Sequence, residues 1–134
     1  MRRQAVPGGF KFEPRTLVGV RKQFGKSSVP LHPAPGVDEN DPRFLAAQLQ
    51  HQVANAVREG VLVRGMTLEQ FVLSESATSL QPGLTYDRLI RIQRGETLMQ
   101  LADLFSWARR FDTVRAILAD ERNWPAAANR NSPS

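Results

Sequence analysis

The placement of the prolines constrains this chain more than any other feature. Six of the nine lie at or before Pro42. The run Ser27-Ser28-Val29-Pro30-Leu31-His32-Pro33-Ala34-Pro35-Gly36 cannot hold a helix, because each proline lacks a backbone donor and pushes its predecessor out of the α region. After Pro42, only Pro82 interrupts the chain before Pro125. A proline-punctuated N-terminal part therefore precedes a part free to be helical. The 134 residues, 41% of them apolar, suffice for one small core.

Charge divides the chain at the same place. The net charge of +5 splits into +4 over residues 1–40, zero over 41–123 and +1 beyond. Arg2, Arg3, Lys11, Arg15, Arg21, Lys22 and Lys26 face one acid, Glu13, within the first 26 residues, which form a +6 arm. A charged segment burying so little reads either as a short strand or hairpin around Phe10-Lys11-Phe12 and Leu17-Val18-Gly19-Val20, or as disorder. Such a balance selects polyanionic partners, nucleic acid before an anionic membrane. The absence of cysteine excludes disulfide scaffolds, zinc ribbons, iron–sulfur sites and thiol nucleophiles. Without a signal-like or membrane-spanning run, the expectation is a cytoplasmic protein, nucleoid-associated when bound to DNA.

From Asp41 onward the pattern is helical. Asp41-Pro42 supplies a cap and a first-turn proline, and Leu45, Leu49, Val53, Ala56 and Val57 recur on one face until Gly60. Thr67 and Gln70 have capping-box spacing and open a second helix running to about Leu80. Pro82-Gly83 makes a turn, Thr85 caps a third helix with Leu89 and Ile92 inward, and Gly95 ends it. Thr97 caps a fourth carrying Leu98, Leu101, Ala102, Phe105 and Ala108. Asp112 caps a fifth with Val114, Ile117 and Leu118, closed by Trp124-Pro125. The predicted fold is all-α: a compact five-helix bundle with a central helix-turn-helix over 41–124. A basic extended arm over 1–26 and a proline-rich linker over 27–40 precede it, and a flexible tail over 125–134 follows.

The segment Leu84-Thr85-Tyr86-Asp87-Arg88-Leu89-Ile90-Arg91-Ile92-Gln93-Arg94-Gly95 resembles the third helix of the Cro/lambda-repressor-like (Xre-type) DNA-binding family. Thr97-Leu98-Met99-Gln100-Leu101-Ala102-Asp103-Leu104-Phe105 resembles its fourth. The resemblance covers about 41–123, and it implies a sequence-specific double-stranded DNA-binding transcriptional regulator, a bacterial or phage repressor. It puts Tyr86, Asp87 and Arg91 at base-reading positions, and Thr85, Arg88 and Arg94 where phosphate contacts are common. Arg91 has the fork geometry for a guanine. Asp87 either accepts from a cytosine or serves the helix dipole. About seven residues within Ser74–Pro82, some two helical turns, exceed the family's spacing and form either a longer second helix or a loop. Leu68 stands where an amide often binds phosphate.

Bland roles suit the other conspicuous residues. Arg109-Arg110 fits the dipole of a helix C-terminus, Trp107 and Trp124 read as packing anchors, and His51 reads as lying on the first helix's polar side. Two isolated histidines, His32 and His51, make no metal site. No nucleophile–base spacing or phosphate loop is present, so neither an enzyme nor a cofactor or small-molecule ligand is expected. In the DNA reading, the arm contacts backbone or minor groove. The protein acts as a monomer or as a homodimer through the fifth helix. The alternatives are a protein-interaction adaptor or antitoxin-like module of the same fold, favoured by an outward Ile90, and RNA binding by the arm.

Overall fold

The computed structural model describes residues 11–26, 29–76 and 85–124, and contains five α-helices: α1 Pro42–Val63, α2 Leu68–Ser76, α3 Tyr86–Gln93, α4 Leu101–Arg110 and α5 Asp112–Ala119. Among the described residues there is no strand, and the architecture is all-α. None of the helices is long and apolar enough to cross a membrane. Pro82-Gly83 and the expected extension of the second helix to Leu80 fall outside the described residues.

Local chemistry sets most helix ends. Asp41 caps α1 by accepting from the Arg43 N–H at 2.8 Å, and the Arg43 guanidinium holds its carboxyl below the usual range. The Thr67–Gln70 capping box opens α2 with reciprocal bonds of 3.1 and 2.9 Å. Thr85 caps α3 through the Arg88 N–H. At the end of α3, Gly95 adopts φ 75°, and the Glu96 and Gly95 N–H groups return to the Arg91 and Ile92 carbonyls in a Schellman turn.

Gly60 does not end α1. The helix continues to Val63 and stops at Gly65, φ 74°, in a second Schellman turn. Gly60 is instead a packing position: a Cβ there would lie 2.5 Å from the Phe111 ring. The fourth helix starts later than its apolar pattern suggests, at Leu101, capped by Gln100 with Asp103 rather than by Thr97. Gln50 of α1 causes the delay. Its amide donates to the Ile92 and Thr97 carbonyls, both at 2.9 Å, and accepts from the Met99 N–H at 2.7 Å, which holds this stretch against α1. Asp112 is the first residue of α5, and Phe111 occupies the cap position.

The main core lies between α1 and the other helices. Val53, Val57 and Val61 of α1 meet Phe71 of α2, Leu89 and Ile92 of α3, Trp107 of α4, the cap residue Phe111 and Val114 of α5. Phe71, Trp107 and Phe111 form an aromatic trio with centroids 5.7–6.0 Å apart. The buried stripe of α4 is Asp103, Trp107 and Ala108, so Leu101 and Phe105, expected inward, are 73% and 71% exposed. Trp124 is likewise no core anchor: 62% exposed, it donates from Nε1 to the Leu118 carbonyl.

A second, smaller core lies against the N-terminal turns of α1. Leu17, Val18, Phe24 and Leu31 pack on Phe44 and Ala47. The N-terminal segment is thus neither an extended arm nor a hairpin where it is described. It forms 3-10 turns at Pro14–Leu17 and Arg21–Gln23, and one isolated antiparallel bridge joins Val18 to Pro33. Within 29–40, expected as a linker, Leu31 is buried in this core with Val37 against it, and backbone bonds join Gly19 to His32 and Ala34 to Leu17. The short apolar runs, too brief for a sheet, find cover on α1 because that helix is apolar on more than one side.

Candidate nucleic-acid interface

Helix α3 has two contrasting faces. Leu89 and Ile92 are completely buried, while Tyr86, Asp87, Arg91 and Arg94 are exposed. Leu89 and Ile92, three residues apart, fix the helix's rotation and thereby turn Tyr86, Asp87 and Arg91 to solvent. Over eight residues the helix spans about 12 Å. Tyr86 and Asp87 stand at its start, Arg91 midway and Arg94 at its end.

Four side chains outside this face hold it in place. Arg88 makes a two-pronged ion pair with Asp103 of α4, both contacts 2.7 Å, and the Asp103 carboxylate raises the Arg88 pKa above its ordinary value. Asp103 is fully buried and also accepts from the Gln100 N–H at 2.9 Å. Arg88, which the resemblance put at a phosphate position, is therefore committed to tying α3 to α4. Gln93 donates to the Ala54 carbonyl at 2.9 Å, and Gln50, through the Ile92 carbonyl, holds the C-terminal turn of α3. Apolar periodicity is blind to these polar residues; the spacing of Gln100 and Asp103, a capping box in the structure, is a signal that the Thr97 reading missed.

The N-terminal segment brings its cations to the end of α3. Gly25, φ 71°, lies so close that a Cβ would sit 2.2 Å from the Gln93 carbonyl oxygen. The Arg15 N–H donates to the Gly95 carbonyl at 3.0 Å. Gly95 in turn presses on the Phe24 ring and the Arg15 side chain. His51, expected on the polar side of α1, is buried. It accepts from the Gly25 N–H at Nδ1, 2.8 Å, and therefore donates from Nε2 to the Val29 carbonyl at 3.2 Å.

Two adjacent concavities result. One lies between the start of α2 and α3 and includes Thr67, Leu68, Ile90, Arg94, Arg58 and Lys26. Ile90 is half-buried in its wall rather than free on the surface. The other is lined by Arg15, Arg21, Lys22, Phe24, Lys26 and Arg94, with Lys26 and Arg94 shared between the two. Arg15 pairs with Glu13 at 3.2 Å and Glu96 at 3.5 Å, and Arg94 reaches Glu96 at 4.0 Å. Lys11 is exposed. Arg2 and Arg3 lie outside the described residues. Comparison with family models, with curated proteins and with solved structures finds no match.

Proposed function

We propose that this protein is a sequence-specific double-stranded DNA-binding regulator of the Xre-like helix-turn-helix kind, a transcriptional repressor that reads the major groove with the outward face of α3. The observation that carries the reading is that face: Tyr86, Asp87 and Arg91 stand exposed on a short helix whose other side is locked into the core by Leu89, Ile92 and the Arg88–Asp103 pair. The groove admits one helix, and a helix can present base-reading groups only if its rotation is fixed. Arg91 is the reader of a guanine, while Thr85 and Arg94 meet flanking phosphates.

Selection of sites from a random duplex pool tests this directly. A converged motif is expected, and Arg91→Ala should cost about 1–3 kcal/mol on the selected site while relaxing one base position. No enrichment by folded protein, or an equal loss on all sequences, overturns base readout by α3.

A second reading, a protein-interaction module, draws on Leu101 and Phe105, one turn apart and both largely exposed on α4. The apolar residues of α5 that would serve a homodimer are instead turned inward, with Val114 buried and Ile117 and Leu118 half-buried. In that reading Leu101→Ser/Phe105→Ser abolishes partner capture, and duplex binding is absent even at low salt.

A further inference from the structure

We propose that the cavity bounded by Arg15, Arg21, Lys22, Lys26 and Arg94 is a phosphate-binding site, filled by a backbone phosphodiester of the duplex that α3 reads. This rests on the DNA-binding reading above and changes the role of the N-terminal segment: residues 11–26 clamp the backbone beside the end of α3.

Positive charge dominates the site. Five cations line a cavity of about 150 Å³, the share of roughly five water molecules at about 30 Å³ each, and hence room for a phosphate group. Against them stand the carboxylates Glu13 and Glu96 and the C-terminal end of the α3 dipole, about half a negative charge. Complementing that dipole requires one cation, and Arg94 at the C-cap supplies it. Among the described residues, Arg21, Lys22 and Lys26 have no carboxylate within ion-pair distance. Holding several unpaired cations around one hollow is repulsive unless an anion fills it.

Their support is also fixed. Gly25 touches the Gln93 carbonyl, Arg15 bonds Gly95 through its backbone, and His51 clasps the chain on either side of Lys26, at Gly25 and Val29. Phe24, buried in the smaller core, anchors the turn that carries Arg21 and Lys22. The cations are thereby pre-organised, which lowers the ordering cost of binding. Of the carbonyls at the end of α3, those of Ile90, Arg91 and Ile92 already accept from the closing turn and from Gln50. Because Lys26 and Arg94 also line the groove between the start of α2 and α3, the cavity adjoins that groove, and one duplex strand can run across both.

The test measures full-chain binding to the selected duplex, to a random duplex and to a structured RNA hairpin across a salt series, for the native sequence and for Arg21→Ala/Lys22→Ala. Both side chains are exposed and support no part of either core, so the variant should fold. The expected result is a salt slope smaller by about 0.9 for each phosphate no longer neutralised, with the same fold-loss on selected and random duplex and the preferred motif unchanged. An unchanged slope overturns the clamp while leaving readout by α3 intact. Tighter binding of the RNA hairpin overturns its assignment to a DNA backbone. If the native chain binds no duplex at low salt, the DNA reading fails and the clamp with it. Amide shifts of Arg21, Lys22 and Lys26 on titration with pyrophosphate then tell whether the cavity takes a phosphate from a different source, and no shift removes the site altogether.

Discussion

Two cores pack against α1, and their backbones are satisfied by opposite means. On the larger side, α2 to α5 satisfy most of their own N–H and C=O groups, and side chains are left to pack: Phe71, Trp107 and Phe111 meet ring against ring at tilted angles. On the smaller side, the described residues of 12–26 and 29–37 have 3-10 turns and a single bridge, so α1 lends polar side chains to an irregular chain. His51 serves Gly25 and Val29, and Gln48 serves both the N–H and the C=O of Leu31, at 3.1 and 3.3 Å. Buried backbone groups must be paired wherever the chain lies. Where secondary structure does not pair them, the neighbouring helix must commit polar side chains to the task, as α1 does with buried His51 at Gly25 and Val29 and, in the irregular stretch before α4, with buried Gln50 at Thr97 and Met99.

If the helical core carries the stability, Trp107→Ala should have the largest effect. A fully buried tryptophan at the centre of the aromatic trio should cost about 3–5 kcal/mol in urea unfolding, with all five helices melting together. A loss under about 1 kcal/mol, within the range of surface substitutions, would mean that the smaller core holds the fold. The next largest effect belongs to the irregular side. His51→Leu strands the buried Gly25 N–H, a group worth about 1–3 kcal/mol if left unpaired, and removes the ring's contact with the Val29 carbonyl. Native-state hydrogen exchange should then show Gly25 and Lys26 opening while α4 and α5 keep their protection. Equal loosening of α4 would make the two cores one cooperative unit. Duplex binding by this variant should weaken through the salt-dependent part alone, since the Lys26 support is removed and Arg91 is untouched.

The smallest effect is at acid pH and compares the two chain ends. Asp41 opens α1 and Asp120 opens the closing turn Glu121–Asn123. Hydrogen bonds from the Arg43 and Arg122 side chains hold both carboxyls below the ordinary value, Asp120 at about 2. A carboxyl depressed in the folded state contributes stability that is complete above its unfolded pKa, near 3.9, and is lost as pH falls through the folded one. Stability should therefore decline between about pH 4 and pH 2, and Asp120→Asn should flatten the lower part of that decline. A pH profile identical to the native one would leave Asp120 without a role in closing the fold.

Much of the helical side was legible. Asp41-Pro42, Thr67 with Gln70, Thr85 and Gly95 act locally, within a few residues of themselves, and each does in the structure what its spacing predicts. Leu89 and Ile92 were likewise readable as inward, and the exposed face of α3 follows from them. Legibility failed where a distant partner decided the outcome. Gly60 resembles a helix stop until Phe111, 51 positions on, occupies the space a side chain would need. Leu101 and Phe105 follow an inward pattern until Arg88 draws Asp103 into the core and turns α4 with it. Nothing in the sequence around Lys22 or Lys26 pairs them with Arg94, more than 60 positions away.

The sequence by itself determined that the described residues from Asp41 onward are helical, where α1, α2 and α3 begin and that Leu89 and Ile92 of α3 face inward, because capping and apolar periodicity are short-range. Tertiary structure alone decided that the basic N-terminal segment folds back, that His51 is buried and that five cations meet beside the end of α3. Those outcomes depend on which buried backbone groups of one segment find side-chain partners on another, and such pairings leave no periodic mark in the chain.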